Sequence, residues 1–166
     1  MRKLFIALAI AVFGAGSAGA ATDVAAAAQG TGTLKYSTVT CTAPLAVTFN
    51  VRSNQAAVTE TWGSGNPGVE ACAIGMLTFQ YEADTTPYPP VQQCLPGISI
   101  STGAPFTLNQ SGSTYTLQST YRLCNGKQVV DRIVVTVQPA RLVYAHTLTE
   151  AGVTLVNVSA NLPRLA

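Results

Sequence analysis

The chain holds one histidine, His146, so any imidazole chemistry would have to run through that residue. In RLVYAHTLTE (residues 141–150), period-two alternation puts Leu142, Tyr144, His146 and Leu148 on one face. Val143, Ala145, Thr147 and Thr149 take the other. A phenol and an imidazole on an otherwise apolar face can line a ligand pocket. They can equally be ordinary cross-strand residues whose polar tips reach solvent or a backbone partner. No second histidine and no partnered acid accompany His146 in the sequence, which favours the second reading. Replacing a plain strand histidine with glutamine should change stability by no more than about 0.5 kcal/mol. Tyr144 and His146, with Trp62 and Tyr88, are the candidates for ligand contact.

Other chemistry is thinly supplied. A serine triad would have to use His146, and no G-x-S-x-G elbow is present. Glu82 and Asp84 share a strand face, but neighbouring carboxylates of that kind suit a solvated strand end better than an opposed glycosidase dyad. WGSGNPG supplies Gly63, Gly65 and Gly68 at dinucleotide-fingerprint spacing, yet no helix follows to present its amino terminus to a pyrophosphate. Asn109-Gln110-Ser111 and Asn157-Val158-Ser159 match the glycosylation sequon, a match common by chance. No cofactor, metal or catalytic residue is expected.

Cys41, Cys72, Cys94 and Cys124 lie too far apart for zinc-ligand spacing. Their even number fits disulfides in an oxidising compartment. Four cysteines allow three pairings. Cys72–Cys94 would close the Pro- and Gly-rich middle of the chain, leaving Cys41–Cys124, and this pairing is the one favoured. Export is also indicated by the amino terminus. Arg2 and Lys3 precede the apolar run Leu4 to Phe13, and Ala18-Gly19-Ala20 offers a small-x-small cleavage site. Residues 1–20 thus read as a signal peptide, the run being interrupted too soon by glycines to span a membrane. The mature chain is expected to be secreted or periplasmic, with no membrane span.

The elements that must position these residues are strands. Residues 21–32 (ATDVAAAAQGTG) read as a flexible lead-in, because their small residues carry no clear period. Residues 33–166 read as a single β domain. TLKYSTVTC, LAVTFNV, AAVTETW and MLTFQYEA alternate in the first half, and FTLNQ, TYTLQSTYRLC, QVVDRIVVTVQ, LVYAHTLT and VTLVNVSAN follow as a meander. Asn125-Gly126 is the preferred pair for a two-residue type I′ turn. The expected fold is all-β: an antiparallel β-sandwich or a closed meander-type barrel of about eight to ten short strands, with at most one short helix after the signal peptide.

Charged residues make up 10% of the chain, below the globular norm of about 25%. The formal charge of +2 includes Arg2 and Lys3 of the signal segment, so the mature chain is near neutral and carries no basic run for nucleic acid. The expectation is a non-enzymatic binding or interaction module for a protein partner or a small apolar ligand. The alternatives are a structural subunit of a surface assembly joined through an edge strand, and a hydrolase with an unrecognised site.

Overall fold

The computed structural model describes residues 21–36, 39–53, 55–63, 77–83, 106–122 and 126–166. Residues 1–20, expected to be a signal peptide, and Tyr88, Asp84, Cys72, Cys94 and Cys124 lie outside them. Among these residues, nine strands form one antiparallel sheet: β1 (Val24–Tyr36), β2 (Val39–Arg52), β3 (Gln55–Trp62), β4 (Leu77–Ala83), β5 (Thr107–Ser111), β6 (Thr114–Arg122), β7 (Gln128–Val137), β8 (Arg141–Glu150) and β9 (Val153–Pro163). Their order across the sheet is β4-β3-β2-β1-β9-β8-β7-β6-β5. Two meanders, β1–β4 and β5–β9, therefore meet at a single seam between β1 and β9. Among the described residues there is no helix, so none long and apolar enough to cross a membrane.

The sheet curls into a half-barrel, which is the barrel-like form of the expected fold. Phe49 on β2 and Tyr115 on β6 touch edge to face with ring centroids 5.0 Å apart, although β1, β9, β8 and β7 lie between their strands in the sheet. Alternation supplies the interior. On β2, Ala43, Leu45, Val47, Phe49 and Val51 are buried, while Thr42, Pro44, Thr48, Asn50 and Arg52 face out. The same period buries Leu117 on β6, Ile133 and Val135 on β7, and Leu142 on β8.

Residues 24–32, expected to be part of a flexible lead-in, are instead the greater part of β1, one of the two central strands at the seam. Ala and Gly have low strand propensity, which hides this element in the sequence. Their small size is what the position needs. Ala26 and Ala28 are buried beneath larger side chains, and a β-carbon added at Gly32 would lie 2.7 Å from Leu45 Cδ2 and 2.9 Å from the Trp62 ring.

The seam is short. β1 pairs with β2 from Val24 to Tyr36, but with β9 only from Gly32 to Tyr36, plus an isolated Ala28–Arg164 bridge. Proline explains the interruption. The Arg164 N–H donates to Ala140 O beside β8, and the Leu165 N–H donates to Ala27 O on β1. By alternation, the N–H that Pro163 lacks would have served the seam. Pro44 is placed more harmlessly. Its carbonyl accepts from Gly63 N at 2.9 Å, so its missing donor falls where the β2–β3 ladder ends.

Turn chemistry is plain at the last hairpin. The β8–β9 hairpin turns through Ala151 (φ 48°) and Gly152 (φ 81°), the paired left-handed residues of a type I′ turn. Of the Asn125-Gly126 pair, Asn125 lies outside the described residues, and Gly126 has the left-handed φ of 78°.

Gly32→Ala should destabilise the fold by about 1–3 kcal/mol through overpacking against Leu45 and Trp62. Thr31→Ala, at the neighbouring exposed position, should change stability by no more than about 0.5 kcal/mol. Urea denaturation of the two variants checks this, and equal midpoints would show that β1 is not packed as described.

Candidate functional site

The inward face of β3 reads Ala56, Val58, Glu60 and Trp62, and all four are buried. An acid thus occupies a core position. β7 repeats the pattern with Val129, Asp131, Ile133 and Val135. β8 presents Leu142, Tyr144 and His146 to the same interior, and β6 presents Ser119 and Tyr121. A buried carboxylate without partners is costly, so the arrangement of these groups follows from satisfying them.

His146 stands between the two acids. Its Nδ1 lies 3.1 Å from Glu60 Oε2, and its Nε2 lies 2.9 Å from Asp131 Oδ1. A neutral imidazole could donate to only one of them, so the geometry calls for the doubly protonated cation. The outer lone pairs of the carboxylates are also used. Tyr144 donates to Glu60 Oε2 at 2.5 Å, the Trp62 indole N–H donates to Glu60 Oε1, and Tyr121 donates to Asp131 Oδ2 at 2.9 Å. One chain of charge-assisted hydrogen bonds therefore runs from Trp62 on β3 to Tyr121 on β6.

Burial alone would push the imidazole towards its neutral form, but the hydrogen bonds and charges of Asp131 and Glu60 more than reverse this, raising its pKa from 6.5 to about 10. Burial would likewise raise Glu60. The His146 hydrogen bond and charge, helped by Tyr144 and Trp62, bring it below the ordinary value of 4.5 instead. The Tyr121 phenol is pushed up by burial and by the neighbouring Asp131 charge, and it stays a donor.

This placement corrects the sequence reading of His146. It is 7% exposed and ion-paired on both sides, not a plain strand residue with its tip in solvent. Of the candidate ligand contacts, Tyr144, His146 and Trp62 come together around Glu60, and Tyr88 lies outside the described residues. Glu60, Asp131 and Tyr121 were missed. Their signal was parity: in AAVTETW and QVVDRIVV an acid sits in phase with the apolar residues. As for the remaining motifs, Glu82 is on β4, and Gly63 caps β3 while Gly65 and Gly68 lie outside the described residues. Both sequon asparagines, Asn109 and Asn157, are exposed on strands.

The site's chemistry is constrained by its completeness. A general base needs a free ring nitrogen, and both nitrogens of His146 face carboxylates. The Ser119 hydroxyl is buried without a hydrogen-bond partner, next to Asp131 in the β6–β7 register, but His146 has no nitrogen left to take its proton. No group of acids, histidines and cysteines among the described residues could hold a metal ion. The imidazole itself occupies the space between the two carboxylates. No known family, curated protein or solved structure matches this chain. Its function has to be read from its own residues.

His146→Gln should destabilise the protein by about 3–5 kcal/mol, the usual cost of stranding a buried ionic partner, and not by the few tenths expected of a surface site. The pH profile carries a sign as well. The contribution of His146 is complete below pH 6.5 and is lost as pH rises towards about 10. That of Glu60 is present above pH 4.5 and fades as pH falls below it. Melting temperature should therefore peak between pH 4.5 and 6.5 and decline into alkali; a maximum at pH 9 would contradict the charge assignment.

Proposed function

We propose that the mature chain is an exported, disulfide-bonded β domain that works by binding a partner on its outer surface and not by catalysis. The observation carrying this reading is that the ionisable groups of the interior are spent on one another. The His146 cation is held by Glu60 and Asp131, and the carboxylates in turn by Tyr144, Trp62 and Tyr121. The facing walls also touch directly, through Phe49 with Tyr115 and Glu60 with Tyr144. An interior bridged in this way favours a surface partner over an enclosed apolar ligand.

The outer face suits recognition by hydrogen bonds. Thr42, Thr48, Asn50, Gln118, Asn157 and Asn161 are exposed and uncharged on β2, β6 and β9. Export is supported by the residue 1–20 pattern. Disulfide bonding is supported by the even cysteine count and by the absence of a free cysteine among the described residues, where Cys41 is buried on β2. The proposed pairs remain Cys41–Cys124 and Cys72–Cys94.

A second reading, a subunit of a surface assembly, draws on β5. Among the described residues this strand pairs on one side only, and its sequence TLNQS has neither charge nor proline to guard the edge. Light scattering separates the readings, because assembly through β5 would give a concentration-dependent mass that a charge placed on the exposed edge by Asn109→Lys abolishes.

Protein secreted from the full-length gene should begin at Ala21, contain no titratable thiol in denaturant, and show no turnover on chromogenic esters, glycosides or peptides. A photo-crosslinking residue at Asn157 should capture a discrete adduct in the producing cells, and one at buried Leu162 should not. Turnover that disappears in His146→Gln would overturn the non-catalytic reading.

A further inference from the structure

The buried network joins parts of the sheet that the backbone joins weakly. Glu60 belongs to the β1–β4 meander, whereas Tyr144, His146 and Asp131 belong to β5–β9. Among the described residues, the backbone between the meanders offers the short β1–β9 ladder and, past the interruption at Pro163, the Ala28–Arg164 bridge with the Leu165 N–H to Ala27 O bond. The ladders that flank this seam are longer, reaching from Val24 to Tyr36 between β1 and β2 and from Arg141 to Glu150 between β8 and β9.

We propose that Glu60, His146 and Tyr144 form a latch that clasps one meander onto the other, and that alkali releases it by removing one of the two N–H donors of the imidazolium. Once His146 is neutral, one of its nitrogens presents a lone pair to a carboxylate. That contact becomes repulsive, while the seam itself is unchanged. Glu60 approaches His146 from β3, Asp131 from β7 with Tyr121 behind it on β6, and Tyr144 lies on β8 itself. Val158 on β9, Leu34 on β1 and Cys41 on β2 continue the same register line and bring no charge. In mildly acidic solution the latch is complete. The seam is then the hinge, and Trp62, hydrogen-bonded to Glu60, marks the face that opens.

The single histidine makes the test direct, because its ring resonances need no assignment. In the wild-type mature protein, nuclear magnetic resonance should show both ring nitrogens protonated from pH 5.5 to 8, with a titration midpoint near 10. Glu60→Gln keeps the shape but removes one charge, and it should lower that midpoint by about one unit or more. Amide exchange, corrected for its intrinsic pH dependence, reads the opening itself. Protection of β3 and of the β1–β9 seam should fall about tenfold or more between pH 6.5 and 10, while the β6–β7 ladder keeps its protection. A midpoint near the unperturbed 6.5 would overturn the latch. So would uniform loss of protection across all strands, which signals global destabilisation, or unchanged protection at the seam with His146 deprotonated.

Discussion

A carboxylate–imidazolium–carboxylate bridge inside an otherwise apolar sheet is the constraint around which this fold is arranged. Each charge buried alone would cost several kcal/mol. The penalty is offset only if Glu60, His146 and Asp131 meet with good geometry and the remaining oxygens find donors. Those conditions are directional, unlike the contacts of Leu45 or Ile133. They demand that β3 face β8 across the interior, that Tyr144 stand two residues from His146, and that Tyr121 reach Asp131. A one-residue slip in β3, β7 or β8 would turn a member outward and strand the others. Apolar packing makes the sheet collapse; the charged bridge selects one way of curling it.

Packing elsewhere yields to that choice. Bringing β3 over towards β8 drives the Trp62 ring across β1, and only glycine at position 32 leaves space for it beside Leu45. β1 consequently has small residues where a free-standing strand would have β-branched ones. Its stability comes from neighbours on both sides and not from its own propensity. The bulge between Leu148 and Thr149 serves the other end of the network. It sets Leu155 against Tyr121, Val129 and Leu148, an apolar cluster next to the Tyr121–Asp131 bond.

Strand positions were legible in the sequence where side chains alternate in size and polarity. β2 and β6 to β9 carry that alternation plainly, and the interior face of β8, with Tyr144 and His146, could be read correctly from it. β1 was not legible, because Ala and Gly satisfy a spatial requirement set by Leu45 and Trp62 and announce no period of their own. The site was half legible. Period two says which way His146 points but not which distant strand it meets, and its acids lie 15 and 86 residues away along the chain. Glu60 and Asp131 each carried a local clue, an acid in apolar phase. Such an acid is either a misread phase or a buried charge in need of a cation, and His146 was the only imidazole on offer.

The distribution of charge reverses the ordinary one. Acids are scarce in this chain, seven in all, yet two of them are buried in one network while the outer face is dominated by Thr, Ser, Asn and Gln. Exposed charges are sparse. A surface of that kind would suit a partner held through hydrogen bonds and shape, with little dependence on salt, because few ion pairs are available to be screened. The interior has the opposite character, since its cohesion depends on a proton held by a single imidazole. Environmental pH would then act on this domain from within. It alters how firmly the two meanders are held together and leaves the chemistry of the outer face nearly unchanged.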